Sequence, residues 1–215
     1  MSGLRLTETM LHTMSTFYLV RHAHADWTPD ENHPLSAQGR DDAVHVADIL
    51  SQHPISAIYS SPFLRARETI APLARRSGLP VHVEPELQER RLGNSTLDFL
   101  DAVEAAWRDS SFAHPEGESN AAAQERGLAV MRRLQKQHVT EHIVLSTHGN
   151  LLALILQSFD PAVDFAFWKA LTLPDIYALS FDQVGQAVMS RLWYECRGHC
   201  ETRTRYDLLA ALGGG

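Results

Sequence analysis

Short apolar runs alternate with longer polar stretches of helical period along this chain. Phe17-Tyr-Leu-Val20 predicts a buried strand, and it delivers Arg21 and His22 at its C-terminal end. Thr28 to Pro34 is turn-like, and Ser36 predicts the N-cap of a helix through about Leu50, with Ala43, Val46, Ala47 and Leu50 on one face. Ile55–Tyr59 predicts a second strand ending in Ser60 and Ser61, followed by a helix over 62–76 that opens at Pro62 and closes at Gly78-Leu-Pro80. Val81-His-Val83 predicts a third strand, and Glu86–Asn94 has no clear period and is placed on a loop. Helices are expected over Asp98–Arg108 and Ser119–His138, with Ser110–Gly117 as the loop between them. Ile143-Val-Leu145 predicts a central strand that ends in Ser146-Thr-His-Gly-Asn150 and runs into an apolar helix, Leu151–Phe159. Ile176–Phe181 and Ala187–Glu195 predict a closing hairpin around Gly185. Strands alternating with helices predict an α/β fold: a three-layer α/β/α sandwich with a mostly parallel central sheet.

The 215 residues suit one domain with a sizeable core. The expected division is a loose N-terminal tail over 1–16, a single catalytic domain over 17–200 and a C-terminal tail over 201–215. A hydrophobic fraction of 44% and a charged fraction of 21% are ordinary for a soluble protein. The net charge of −7 argues against a nucleic-acid surface, but leaves room for a small anion held by convergent arginines. No apolar run reaches the length of a membrane span and the N-terminus lacks a secretory pattern, so no membrane partner is expected. The only cysteines, Cys196 and Cys200, fit a reducing cytoplasm. Cys196-x-x-His199-Cys200 is crowded and lacks an evident fourth ligand, which argues against zinc, and no metal is expected.

Candidate chemistry collects at strand ends and adjoining loops: Arg21-His22, Ser60-Ser61 leading to Arg65, Glu89, and Thr147-His148-Gly149-Asn150. Paired arginines suit a phosphoryl group, because the guanidinium fork binds its oxygens bidentately and stays charged. The helix start after His148, at Gly149 and Asn150, adds backbone N–H groups and a positive dipole end. A neutral imidazole is a competent nucleophile near pH 7. Taken singly, each residue also has a bland reading: a hydrogen-bonded histidine, a solvated arginine or a carboxylate in a surface network. Arg67, Arg75, Arg76, Arg90 and Arg91 are left to that reading, with Arg90 or Arg91 in reach of a second anionic group. His24, His33 and His45 are expected to be structural or exposed.

Six motifs in one order give the set its meaning. Arg21-His22-Ala23, Leu35-Ser-Ala-Gln-Gly39, Ser60-Ser-Pro-Phe-Leu-Arg-Ala-Arg-Glu-Thr69, Leu87-Gln-Glu-Arg-Arg-Leu-Gly93, Gly117-Glu-Ser119 and Thr147-His-Gly-Asn150 together cover roughly residues 17–155. In these the chain resembles the histidine phosphatase superfamily, the phosphoglycerate mutase-like group, on its phosphatase side. The resemblance implies that His22 attacks phosphorus and becomes phosphohistidine. It implies that Arg21, Arg65 and His148 hold the phosphoryl oxygens, with Gly149 and Asn150 beside them. Glu89 then acts as proton donor to the leaving group and as base toward water. No cofactor is implied, since arginine and imidazolium charge take the place of a metal ion.

Two positions depart from the family pattern. Ala23 replaces the more usual Gly, and Thr28 stands where many relatives carry an Asn that helps bind phosphate. The segment Asn94–Glu116 is short compared with that of classical mutases, which leaves the crevice open to water and favours hydrolysis over transfer. The expected activity is therefore that of a histidine acid phosphatase-type phosphoric monoester hydrolase acting on a small phosphorylated substrate. The alternatives are a phosphohistidine or phosphoprotein phosphatase, suggested by the Arg-His-Ala run, and a cofactor-dependent phosphoglycerate mutase. Specificity is expected from Thr28–Pro34 and from Asn94–Glu116, with Phe99, Trp107 and Phe112.

Overall fold

The computed structural model describes residues 15–28, 33–181 and 186–193. The sheet comprises β1 (Thr16–Arg21), β2 (Ile55–Ser60), β3 (Val81–Val83), β4 (His142–Thr147), β5 (Asp175–Phe181) and β6 (Ala187–Arg191). The helices are α1 (Ala37–Leu50), α2 (Leu64–Ser77), α3 (Phe99–Arg108), α4 (Asn120–Gln137), α5 (Gly149–Gln157) and α6 (Phe165–Ala170). Strand order is β3-β2-β4-β1-β5-β6. The ladders from β3 to β1 are parallel, whereas β5 runs antiparallel to β1 and β6 antiparallel to β5. The predicted α/β sandwich is thus a mixed sheet whose parallel half carries the motif strands.

Alternation along each strand makes two cores, because successive side chains leave opposite faces of a pleated sheet. Phe17, Leu19, Ile143 and Leu145 face α4 and α5, packing with Leu134, Leu151 and Ile155. Tyr18, Val20 and Val144 face α1 and α2, packing with Val46, Leu50, Ile70 and Leu73. Complete burial of each such Leu or Ile side chain contributes about 1.5–3 kcal/mol. The central strands β1 and β4 are therefore the rigid part of the fold, and both end at the motif residues.

Several boundaries differ from expectation for local reasons. The chain enters the sheet before the expected end of the tail: Thr16 already belongs to β1, and buried Ser15 donates its hydroxyl to the His138 carbonyl at 2.5 Å. Pro62 lies outside α2, because the Phe63 N–H bonds to Ser61 Oγ at 3.3 Å and Phe63 is the extended N-cap. Leu87, expected on a loop, closes a 3₁₀ turn over Pro85–Leu87. The short α6, capped by Asp164, was not signalled by periodicity. The hairpin of β5 and β6 is present, while its Gly185 turn, Glu195 and the Cys196–Cys200 segment lie outside the described residues. Among the described residues no helix is long and apolar enough to cross a membrane.

Candidate active site

β1 and β4 are in register with Arg21 beside Thr147, so the two histidine-bearing loops leave the sheet side by side. The His22 N–H donates to the Thr147 carbonyl at 3.0 Å, and the two imidazole rings lie edge to face with centroids 5.1 Å apart. His22 Nδ1 is 2.8 Å from the Ala23 carbonyl, which accepts only, so this nitrogen carries the proton. Nε2 keeps the lone pair and accepts from Arg65 Nε at 3.1 Å. Burial pushes the His22 pKa down to about 3; the Ala23 carbonyl opposes this, and the positive charges of Arg65 and Arg21 reinforce it. The imidazole is held neutral, with its Nε2 lone pair directed at Arg65.

His148, fully buried, caps α5. Its Nε2 is 2.7 Å from Ser61 Oγ, which also accepts the Phe63 N–H at 3.3 Å, so Ser61 holds the ring against the start of α2. Nδ1 has no partner among the described residues. Burial drives the His148 pKa well below its ordinary value, with His22, Arg65 and Arg21 acting in the same direction. Arg21 donates from Nη1 to the Leu171 carbonyl at 2.8 Å, and its buried Nε is likewise unpartnered. Arg65 lies with its guanidinium carbon 4.7 Å from the Phe63 ring centroid. Burial works against both arginine charges, and Glu89 supports both.

Glu89 sits at the start of α5. Its Oε2 accepts the Asn150 N–H at 3.0 Å, and its Oε1 accepts the Leu151 N–H at 3.0 Å and the Arg90 N–H at 2.8 Å. At the helix start expected to face phosphate, the Asn150 and Leu151 amides thus hold a carboxylate, which complements the helix dipole. The Asn150 side chain is turned away from this end, accepting from Trp107 Nε1 at 2.9 Å and reaching Asn120 at 3.4 Å. Gly149 is needed for space: a Cβ there would lie 2.9 Å from Arg21 Nε and 3.0 Å from its Cζ. The structure brings His22, Arg21, Arg65, His148 and Glu89 together, and gives Asn150 and Gly149 supporting places around them.

The remaining motif residues act as braces. The Ser36 N–H donates to the His24 carbonyl at 3.1 Å, and Gly39 lies so close that a Cβ would stand 2.0 Å from that oxygen. Leu35-Ser-Ala-Gln-Gly39 therefore clamps the loop that follows His22. Thr69 Oγ1 accepts the Ala23 N–H at 2.9 Å and donates to the Arg65 carbonyl at 2.7 Å, tying the His22 and Arg65 segments together. Thr147 Oγ1 donates to the Leu87 carbonyl at 2.7 Å, which fixes the segment carrying Glu89. Gly93, at φ +80°, and Gly117 meet backbone to backbone, since a Cβ on Gly93 would stand 2.4 Å from Gly117 N. Glu118 takes a bidentate bond from Arg126, which also donates to the Gln88 carbonyl at 3.1 Å and to the Glu86 carbonyl.

The departures resolve simply. Ala23 has no left-handed backbone, and its buried methyl packs with Leu35 and Ala43. Thr28 bonds with His33: its N–H to Nδ1 at 3.1 Å, and its Oγ1 from the His33 N–H at 2.9 Å. His24, exposed, meets Ser36 Oγ, and His45, half-buried, lies edge to face on Trp193, in keeping with supporting roles. Arg91 is exposed on the Glu116 carbonyl, whereas Arg90 is buried rather than solvated, with an unpartnered Nε. Phe99 and Phe112 are exposed, and Trp107 instead ties α3 to α5 through Asn150. Asp175, Arg191 and the Leu171 carbonyl stand behind Arg21 without belonging to any motif. Among the described residues no cluster of His, Cys, Asp and Glu could hold a metal ion.

Comparison with known proteins agrees with this geometry. Residues 17–191 match the histidine phosphatase superfamily (branch 1). The chain is 32% identical over 136 residues to a glucosyl-3-phosphoglycerate phosphatase of Mycolicibacterium vanbaalenii, a match covering 56% of this chain and 60% of that protein. It is 27% identical over 160 residues to a Shigella dysenteriae protein described as "Probable phosphoglycerate mutase GpmB", covering 67% of this chain and 74% of that one. The native structure of a mycobacterial glucosyl-3-phosphoglycerate phosphatase superposes with a TM-score of 0.66 at 25% identity, over 81% of this chain and 96% of that chain. A phosphoserine phosphatase from Entamoeba histolytica, at 20% identity and a TM-score of 0.69 over 83% of this chain and 97% of that chain, shares the fold. The matched span includes every motif strand of the site, and the chain belongs to branch 1 of the histidine phosphatase superfamily.

Proposed function

We propose that the protein is a phosphomonoesterase that works through a phosphohistidine on His22 and needs no metal ion. In the first half-reaction His22 Nε2 forms a bond to phosphorus as the bond to the ester oxygen breaks. Glu89 gives its proton to the departing oxygen, so an alcohol leaves. Oε2 of Glu89 accepts a single amide where Oε1 accepts two, so Oε2 is the oxygen with a lone pair left to carry that proton. In the second half-reaction water attacks phosphorus, Glu89 takes up its proton, and the N–P bond breaks to free inorganic phosphate and neutral His22. The Ala23 carbonyl, bonded to Nδ1–H, steadies the ring as Nε2 gains the phosphoryl group. Arg21, Arg65 and His148 supply donors to the equatorial oxygens and stabilise the spread negative charge of the transition state.

One observation carries this reading. Among the described residues only three buried side-chain N or O atoms lack a partner, and two of them, Arg21 Nε and His148 Nδ1, belong to the residues flanking His22. Buried polar atoms are nearly always paired, and two without a protein partner beside His22 support a site for an oxyanion there. The third, Arg90 Nε, belongs to the residue that follows Glu89, whose guanidinium also reaches the Glu118 carbonyl at 3.4 Å. The related proteins named for phosphoglycerate and glucosyl-3-phosphoglycerate support a phosphorylated hydroxy acid as the substrate class. The short Asn94–Glu116 segment favours hydrolysis over mutase transfer, and the setting we assign is the cytoplasm. The test is phosphate release from an aryl phosphate and from a panel of phosphorylated hydroxy acids in EDTA. Turnover that survives chelation supports the reading, and turnover that requires an added divalent ion contradicts it.

A further inference from the structure

A buried ion pair one strand away from Arg21 has no part in the chemistry above. Asp175 opens β5 and stands opposite Arg21 in the β1–β5 register. Its carboxylate is completely buried. Oδ1 accepts from Ile176 N–H at 3.0 Å and Arg191 Nε at 2.8 Å, and Oδ2 accepts from Thr172 N–H at 3.0 Å and Arg191 Nη2 at 2.8 Å. Arg191 Nη2 also donates to Thr172 Oγ1 at 3.0 Å, and that hydroxyl donates to the Pro174 carbonyl at 2.6 Å. Three of these bonds land on the turn between α6 and β5: Thr172 N–H to Oδ2, Arg191 Nη2 to Thr172 Oγ1, and Thr172 Oγ1 to the Pro174 carbonyl. The first residue of that turn, Leu171, offers the carbonyl that accepts Arg21 Nη1 at 2.8 Å.

Arg21 is therefore gripped from two sides. Gly149 lies against its guanidinium on one side, and the Leu171 carbonyl holds Nη1 on the other. With Nη1 engaged, the planar group is oriented so that Nε remains unpartnered. Burying an ion pair is a poor way to stabilise a hairpin, since apolar residues of similar volume commonly do as well or better. A fixed fork between carboxylate and guanidinium does, however, set a turn in one conformation.

We infer that Asp175 and Arg191 are positioning residues for Arg21: they fix the Leu171 carbonyl, and through it the direction in which Arg21 offers Nε to a phosphoryl oxygen. This rests on the reading of Arg21 as a phosphate ligand. The pair lies behind Arg21 and acts on it through the Leu171 carbonyl, with the Asp175 carboxylate also supporting the guanidinium charge. Its effect falls on oxyanion binding and not on the reactivity of His22.

The experiment uses the full chain and orthovanadate as the probe, with steady-state kinetics on p-nitrophenyl phosphate and a thermal melt for each variant. Asp175→Asn, Arg191→Lys, Arg21→Gln and the double variant Arg21→Gln/Asp175→Asn are compared. Asp175→Asn is expected to weaken vanadate inhibition and raise KM about tenfold while a cooperative melt is kept. Arg191→Lys, which retains the charge and loses the fork, shifts the same two quantities in the same direction, and carries the test alone if Asp175→Asn does not fold. In the Arg21→Gln background Asp175→Asn adds less than about twofold, because its effect passes through Arg21. A vanadate affinity unchanged in both single pair variants, or an undiminished penalty in the Arg21→Gln background, overturns the inference and leaves the phosphate reading intact. Arg21→Gln that binds vanadate as well as the wild type overturns both together.

Discussion

Arg65 Nε lies 3.1 Å from His22 Nε2 and donates to it. An N–H can meet that nitrogen only across a lone pair, so the contact fixes the imidazole as neutral and protonated on Nδ1. On the proposed mechanism an arriving phosphoryl group takes the Arg65 contact from the nitrogen, releasing the lone pair as it supplies an oxygen acceptor. Arg65→Lys keeps the charge but loses the planar fork that can shift from nitrogen to oxygen. We expect kcat/KM to fall about a hundredfold in steady-state assays, with the His22 ring still neutral at pH 7.

Neutral burial of two histidines has a consequence for acid stability. His22 is held at about 3 and His148 well below its ordinary value, whereas both titrate near pH 6.5 in the unfolded chain. Between those values the unfolded state binds more protons, so the contribution to stability is complete above about pH 6.5 and is lost as pH falls toward 3. Each histidine adds at most about 1.4 kcal/mol of destabilisation per pH unit in that window. Thermal melts should therefore decline from pH 7 to pH 4, and His22→Gln should flatten the slope. A slope unchanged in that variant contradicts neutral burial of His22.

Glu89 is read as the proton donor because it is the carboxylate that supports both site arginines and is fixed to the start of α5. The proton matters most when the leaving alcohol is a poor one. Glu89→Gln should reduce turnover of an alkyl phosphate by about 10² to 10⁴, and that of p-nitrophenyl phosphate far less. An equal loss on both substrates would assign Glu89 a role in holding α5 instead.

Gly149→Ala tests the packing behind Arg21. The added Cβ would stand 2.9 Å from Arg21 Nε, which cannot swing freely while Leu171 holds the guanidinium. KM and the inhibition constant of inorganic phosphate should both rise about tenfold in steady-state assays, with little change in melting temperature.

The motif strands and the helices around them were legible because their signals are local. Ser36 caps α1 as the pattern predicts, the helix expected from Ser119 is α4 with Ser119 as its cap, and Val46, Leu50 and Leu134 fall on the buried faces. His22, Arg65, Glu89 and His148 were found through motif spacing, and the structure brings them together around one point. What the sequence hid depends on contacts between distant segments. The α5 amides looked free for phosphate, and only the fold shows Glu89 lying on them from 61 and 62 residues away. Asp175 and Arg191 carry no local signature, since their meaning lies in the β1–β5 register. Ala23 looked like a missing glycine, yet its backbone is ordinary and its methyl fills a buried space. Arg90 looked like a surface charge because its burial is set by Glu118 and the brace around it.

The most direct measurement of the central claim is the covalent intermediate itself. The protein is mixed with a labelled phosphate ester in EDTA, quenched during turnover and mapped by mass spectrometry. Phosphate that is labile in acid, stable in alkali and located on His22 is the predicted result, with both the label and turnover lost in His22→Ala by several powers of ten. Turnover unchanged in His22→Ala, or label on another residue, would contradict the account.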